Sequence, residues 1–128
     1  RRAKILSSRS APWAVAGPAL EYGVRALGDT GWQDAMRARL GVEAARLDGL
    51  LDFHGVPVSG GTSLFRYINF DRAGSLFSTL GERGILLRHF ADRPNVLRIG
   101  LPGCEEEWKR LESALNAWSK AQTAGVPL

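Results

Sequence analysis

The chain has 128 residues, enough for one compact domain with a substantial core. Its net charge of +4 comes mainly from arginines spread along the whole sequence, whereas a dedicated nucleic-acid binder concentrates basic residues among exposed aromatic ones. No apolar run approaches the ~20 residues of a membrane span, and the single cysteine, Cys104, excludes an internal disulfide. We therefore expect a cytoplasmic protein without nucleic-acid or membrane partners.

The first half of the sequence predicts two helices. Pro18 is suited to the first position of the first helix, and apolar residues then recur at helical spacing until Gly28 ends the run. Thr30 and Gln33 have the spacing of a capping box, which would start a second helix that continues to about Phe53. The predicted apolar stripe of this second helix comprises Trp32, Met36, Leu40, Ala44, Leu47 and Leu51.

Short extended segments follow, with one helix among them. Residues 56–58 and 63–69 predict two strands, and the glycine-rich residues 59–62 between them predict a turn. Asp71 is a candidate cap for a short helix, which Gly84 would end in a left-handed conformation.

Two further strands, residues 84–90 and 95–100, are predicted around a turn over residues 91–95. Each strand contains an arginine, Arg88 in the first and Arg98 in the second.

The spacing of these two arginines is the most informative pattern in the chain. If the turn closes an antiparallel hairpin with Phe90 opposite Val96, Arg88 lies directly opposite Arg98 with both side chains on one face. Like charges in that position are destabilising, so the pair favours an anion between or beside the guanidinium groups, such as a carboxylate or a phosphate. The alternative is a pair of solvated arginines on an open sheet face.

The last predicted helix follows Pro102 and Gly103, and a frayed tail is expected from Ala121. Three glutamates lie in its first turn, where the helix dipole favours them, and its apolar positions are Trp108, Leu111, Leu115 and Trp118. The order of elements indicates an α+β fold, in which a small, mainly antiparallel sheet is covered by helices on one side.

The remaining polar residues do not assemble a catalytic or metal site. His54 and His89 have no Cys, Asp or Glu at ligand spacing, and the serines at positions 7, 8 and 10 have no nearby base. Residues 59–62 lie between strands and not before a helix, so they do not fit a phosphate-binding loop.

Residues 84–90, 95–103 and 105–111 resemble the carboxyl-terminal end of fold-type I pyridoxal-phosphate (PLP) enzymes of the aminotransferase class I/II superfamily. Residues 11–18 contain a Pro-Trp-x-Val motif similar to that of the cobalamin-biosynthesis threonine-phosphate decarboxylases, whose sister family is the histidinol-phosphate aminotransferases. The resemblance implies that Arg98 binds an acidic group of an amino-acid phosphate substrate. It also implies that Arg88 helps to hold a second anionic group, such as the phosphate.

The resemblance further implies what this sequence does not contain. Members of the superfamily bind PLP on a large domain that supplies the Schiff-base lysine in a Ser-x-x-Lys stretch, and Lys4, Lys109 and Lys120 all lack these surroundings. We therefore expect residues 1–128 to be a single carboxyl-terminal small domain, a fragment of a larger homodimeric enzyme, and inactive by itself. The alternatives are the corresponding domain of a histidinol-phosphate-like aminotransferase and, in another class, a non-catalytic α+β binding module.

Overall fold

A computed structural model describes residues 15–124, so the residues of the Pro-Trp-x-Val motif before Val15, and Lys4, lie outside the described part. The elements are α1 (Gly17–Gly28), α2 (Thr30–Phe53), β1 (Val58–Thr62), β2 (Phe65–Asn69), α3 (Ala73–Gly81), β3 (Arg88–Phe90), β4 (Arg93–Gly100) and α4 (Glu105–Ala124). Contacts divide the chain into two compact units, with the boundary between Met36 and Arg37. None of the described helices is long and apolar enough to cross a membrane.

The unit that ends at Met36 contains the junction of α1 and α2, where the capping of α2 differs from the predicted capping. Asp29 caps α2, because its Oδ1 accepts a hydrogen bond from the backbone N–H of Trp32 at 2.9 Å. The side-chain amide of Gln33 instead donates to the carbonyl oxygen of Leu27 at 2.9 Å, in the last turn of α1. The predicted capping box between Thr30 and Gln33 is therefore wrong, since Gln33 satisfies a carbonyl of the preceding helix.

The apolar side chains of α1 are exposed. No residue of α1 is buried, and its apolar stripe of Leu20, Val24 and Leu27 is between 58% and 80% exposed. Trp32 is 58% exposed, so its predicted place in the core is wrong. The buried part of the α2 stripe consists of Ala44, Leu47 and Leu51.

The unit from Arg37 onward is built on a four-stranded antiparallel sheet in the order β1-β2-β4-β3. One face of the sheet presents Ile68, Leu97 and Ile99 to a core that the later part of α2, α3 and α4 complete. The fully buried helix residues include Leu47, Leu51, Leu76, Leu80, Leu115 and Trp118. This arrangement confirms the predicted α+β class, with helices covering one side of the sheet.

Strand limits differ from the predicted ones in both hairpins. Gly60 and Gly61 belong to β1 and not to a turn, and a register irregularity lies between Val58 and Gly60. In the second hairpin β3 contains only three residues, and Phe90 pairs with Arg93 and not with Val96. The reason is a register shift between His89 and Phe90. Because of it, β4 begins at Arg93, within the segment that was predicted to be the turn.

Helix ends show two further differences. α3 begins at Ala73 without a side-chain cap, and the Asp71 carboxylate instead accepts a hydrogen bond from the side chain of Asn95 at 3.4 Å. α4 continues to Ala124 where fraying was expected from Ala121. The predicted left-handed residue after α3 is confirmed, since Gly84 has φ of 71°.

Candidate functional site

Arg88 and Arg98 are directly opposite each other on neighbouring antiparallel strands, as the sequence predicts. Tyr67 on β2 is the partner of Arg98 on the other side of β4. Because side chains alternate along a strand, Arg98 projects from the face opposite to that of its buried neighbours Leu97 and Ile99. We call this the outer face, and its residues are Phe65, Tyr67, Arg88, Phe90, Arg93 and Arg98.

Each of the two paired arginines lies against an aromatic ring. The Cζ atom of Arg98 is 5.1 Å from the ring centroid of Phe65, and that of Arg88 is 5.3 Å from the ring centroid of Phe90. Both distances are within the range of cation–π attraction. The contact of Arg88 with Phe90 joins residues two apart on one strand, whereas Phe65 lies far from Arg98 in the sequence and reaches it only through the pairing of β2 with β4.

Arg93 differs from the other two arginines of the outer face because it has polar partners. Its Nε is 3.4 Å from the carboxylate of Asp92, and its Nη1 donates to the hydroxyl oxygen of Tyr67 at 3.4 Å. Among residues 15–124, neither Arg88 nor Arg98 has a carboxylate within 4 Å or a side-chain hydrogen bond. The exposed guanidinium groups of Arg88 and Arg98 therefore remain free to bind anions.

An open groove of about 660 Å³ contains both arginines. Its lining consists of Leu64, Phe65, Leu86, Leu87, Arg88, His89, Arg98 and Gly100. Leu64 is 60% exposed and Leu86 is 90% exposed, so apolar surface borders the cationic part of the groove. A ligand with acidic groups on a short carbon skeleton suits this combination.

Two other arginines form ion pairs between elements of the fold. Arg66 binds the carboxylate of Asp48 through Nε and through Nη2 at 2.8 Å, and this contact joins β2 to α2. Arg46 makes a two-pronged contact with Glu105 at 2.5 and 3.0 Å, which joins α2 to the start of α4. The hydrogen bond from Arg46 lowers the pKa of Glu105, and the hydrogen bond to Asp48 raises the pKa of Arg66. These arginines are already paired, so they do not compete with the outer face as anion sites.

The structure does not bring His54 and His89 together in a metal site. The Nδ1 atom of His54 is 2.8 Å from the hydroxyl of Ser119, and burial lowers the pKa of His54. His89 lies on β3, where its ring contacts Phe77 of α3 at a centroid distance of 5.4 Å. Within residues 15–124 no group of three His, Cys, Asp or Glu side chains could hold a metal ion.

Comparison with known proteins finds relatives that are much longer than this chain. No protein-family model matches. A protein of Pseudomonas aeruginosa named threonine-phosphate decarboxylase is 41% identical over 112 residues, which cover 88% of this chain and 34% of that protein. A protein of the same name from Sinorhizobium sp is 40% identical over 105 residues, or 81% of this chain and 31% of that protein.

A solved structure shows the same fold. A crystal structure from Burkholderia pseudomallei, described as that of a "putative aminotransferase", has a TM-score of 0.71 and covers 91% of this chain and 36% of its own. Its sequence identity is 22%. This chain thus spans about a third of the length of the curated relatives it matches, and the resemblance found in the sequence is confirmed.

Proposed function

We propose that this chain, as a relative of the threonine-phosphate decarboxylases, is the carboxyl-terminal domain of a PLP-dependent enzyme that decarboxylates L-threonine O-3-phosphate for cobalamin biosynthesis. In this proposal Arg98 binds the carboxylate of the substrate and Arg88 helps to hold its phosphate. The full-length enzyme would be a cytoplasmic homodimer. The observation that carries the proposal is the pair of exposed arginines on neighbouring strands, neither of which has a carboxylate partner in the described chain.

The charge and geometry of the pair support a substrate with two acidic groups. Forked guanidinium donors match both carboxylate and phosphate oxygens, and each such charge-assisted contact fixes orientation as well as position. Holding both ends of a short substrate also orients the bond between its α-carbon and its carboxylate. Fixed orientation of this kind can lower a reaction barrier by several kcal/mol.

Cofactor binding is assigned to the part of the full-length enzyme outside this chain. The two lysines of the described residues, Lys109 and Lys120, are exposed on α4, whose buried side chains pack on the other side of the sheet. The outer face therefore has no lysine among residues 15–124 to which PLP could attach. When bound in the complete enzyme, PLP supplies the electron sink for loss of the carboxylate, and this chain supplies the positions of the acidic groups.

Kinetics of the full-length enzyme test the two assigned roles. Arg98→Lys keeps the charge but loses the fork, so kcat/KM for threonine phosphate should fall about tenfold or more, as loss of a charged hydrogen bond implies. Arg88→Lys should impair threonine phosphate more than unphosphorylated threonine. Arg83→Lys is the matched control, because Arg83 donates to the carbonyl oxygen of Thr79 on α3. Near-normal kcat/KM for Arg98→Lys, with an unchanged melting temperature, would show that the carboxylate role is wrong.

The reaction itself is tested by its products. Release of carbon dioxide without a keto-acid requirement supports the decarboxylase, whereas transfer of the amino group to 2-oxoglutarate supports the histidinol-phosphate-like aminotransferase. If the full-length protein catalyses neither reaction, and its arginine variants bind inorganic phosphate as the wild type does, the proposal is wrong and the non-catalytic binding module is the remaining alternative.

A further inference from the structure

We propose that Phe65 and Phe90 are positioning residues that hold the guanidinium groups of Arg98 and Arg88 apart, and so create two separate anion sites. The inference rests on the proposed function of the arginine pair and adds to it the residues that set the spacing. Each ring lies against its arginine, Phe65 against Arg98 and Phe90 against Arg88.

The strand register shows in which direction each arginine leans. Phe90 follows Arg88 by two residues on β3, and the Arg88 guanidinium lies over its ring. Phe65 is the partner of Gly100, which follows Arg98 by two residues on β4, and the Arg98 guanidinium lies over that ring. Both side chains thus lean toward the carboxyl end of their own strand. Because β3 and β4 are antiparallel, the two guanidinium groups point in opposite directions along the sheet.

This divergence accounts for two like charges at directly opposite positions. Side chains at such positions have Cβ atoms roughly 5 Å apart, so two unsupported guanidinium groups would repel each other. The rings attract the cations away from each other, which offsets this repulsion in the free protein. The free protein consequently already presents two separate cationic groups on the outer face.

The two rings are themselves held in place. Phe65 and Phe90 are partly buried, and the ring of Phe90 is 6.4 Å from that of Tyr67, which occupies the centre of the outer face. Tyr67 in turn accepts the hydrogen bond from Arg93, whose Cζ lies 5.5 Å from the Phe90 ring. The ring of Phe90 therefore has one neighbour on each of the strands β2 and β4.

Replacement of each ring by leucine tests the inference in the full-length enzyme. Phe90→Leu should raise KM for L-threonine O-3-phosphate about two- to fivefold, the equivalent of one exposed cation–π contact, with little change in kcat/KM for unphosphorylated threonine. Phe65→Leu should lower kcat/KM for both substrates by a similar factor, because it acts through the carboxylate site. Phe65→Tyr and Phe90→Tyr retain a ring and should restore wild-type values.

Phe53→Leu is the control for the substitution itself. Phe53 is 80% exposed at the end of α2, where its ring contacts His54 and not an arginine of the outer face. A purely structural role of Phe90 predicts equal losses with both substrates and a lower melting temperature. Equal losses with both substrates, together with a lower melting temperature, would overturn the positioning role of Phe90.

A double-substitution cycle separates this inference from the proposed function. Phe90→Leu should have no further effect on KM in an Arg88→Gln background, and Phe65→Leu none in an Arg98→Gln background. If Arg88→Gln leaves the preference for the phosphorylated substrate unchanged, the proposed function is wrong. If Arg88→Gln removes that preference but Phe90→Leu behaves as Phe53→Leu does, only the positioning role of Phe90 is wrong.

Discussion

Gly61 is the position at which a single added methyl group should damage the sheet most. A Cβ atom built on Gly61 would lie 2.3 Å from the carbonyl oxygen of Phe65 and 3.1 Å from the Cα of Arg66, and its φ is 153°. Gly60 next to it has φ of 158°, but a Cβ there would meet nothing within 4 Å. The two glycines therefore have the same unusual backbone and differ in the space around them.

The difference allows the steric cost to be measured by itself. Gly60→Ala should lower the free energy of unfolding by about 1 kcal/mol, the usual cost of placing alanine at positive φ. Gly61→Ala carries that cost and also forces β1 away from β2, so we expect a loss of about 3–5 kcal/mol, the range of severe steric substitutions. Because real Cβ atoms essentially never lie closer than 3.0 Å to another heavy atom, a 2.3 Å approach cannot be accommodated without backbone movement.

Urea unfolding followed by tryptophan fluorescence measures both variants, since Trp108 and Trp118 are buried in the core. Gly61→Ala should also melt about 8–16 °C below Gly60→Ala, at roughly 4 °C per kcal/mol for a chain of this size. Equal unfolding free energies for the two variants would refute the close approach of β1 to the carbonyl of Phe65.

Three further outcomes are expected. Burial lowers the pKa of His54, so the folded state resists its protonation and stability should fall as the pH decreases below about 6.5. His54→Gln should flatten this dependence of melting temperature on pH, and an unchanged slope would contradict the assignment. Trp118→Ala should cost about 3–5 kcal/mol of unfolding free energy, whereas Trp32→Ala, at an exposed tryptophan, should be nearly neutral in the same denaturation experiment. Finally, PLP added to the 128-residue chain should give no stable visible absorbance band from one specific lysine, since Lys109 and Lys120 are both exposed on α4. Mass spectrometry after borohydride reduction would identify any lysine that did attach to PLP.

The sequence was most informative where one local pattern fixed the structure. The repeat of apolar residues on α4 and the glycine after α3 each predicted an element that the structure confirms. The pairing of Arg88 with Arg98 was also predictable, because alternation within a strand and a short connection leave few registers.

Features that depend on contacts distant in sequence were not predictable. Trp32 has helical core spacing, but burial requires a partner surface that the spacing cannot reveal. The ring of Phe65 beside Arg98 is another example, because this contact exists only through the pairing of β2 with β4. The prediction of the residue that caps α2 was wrong for a different reason. Asp29 and Thr30 are both good capping residues, and only the structure shows that Asp29 accepts the hydrogen bond from the backbone N–H of Trp32.

The sheet order places the two arginines on strands of unequal support. Arg98 lies on β4, which is hydrogen-bonded on both sides, whereas Arg88 lies on β3, a three-residue strand at the edge of the sheet. Edge segments with few backbone hydrogen bonds open at lower free energy than central strands do. The backbone at Arg98 is consequently better supported than the backbone at Arg88. If the proposed function holds, substitutions in β3 should therefore change the preference for the phosphate group while carboxylate binding at Arg98 is retained.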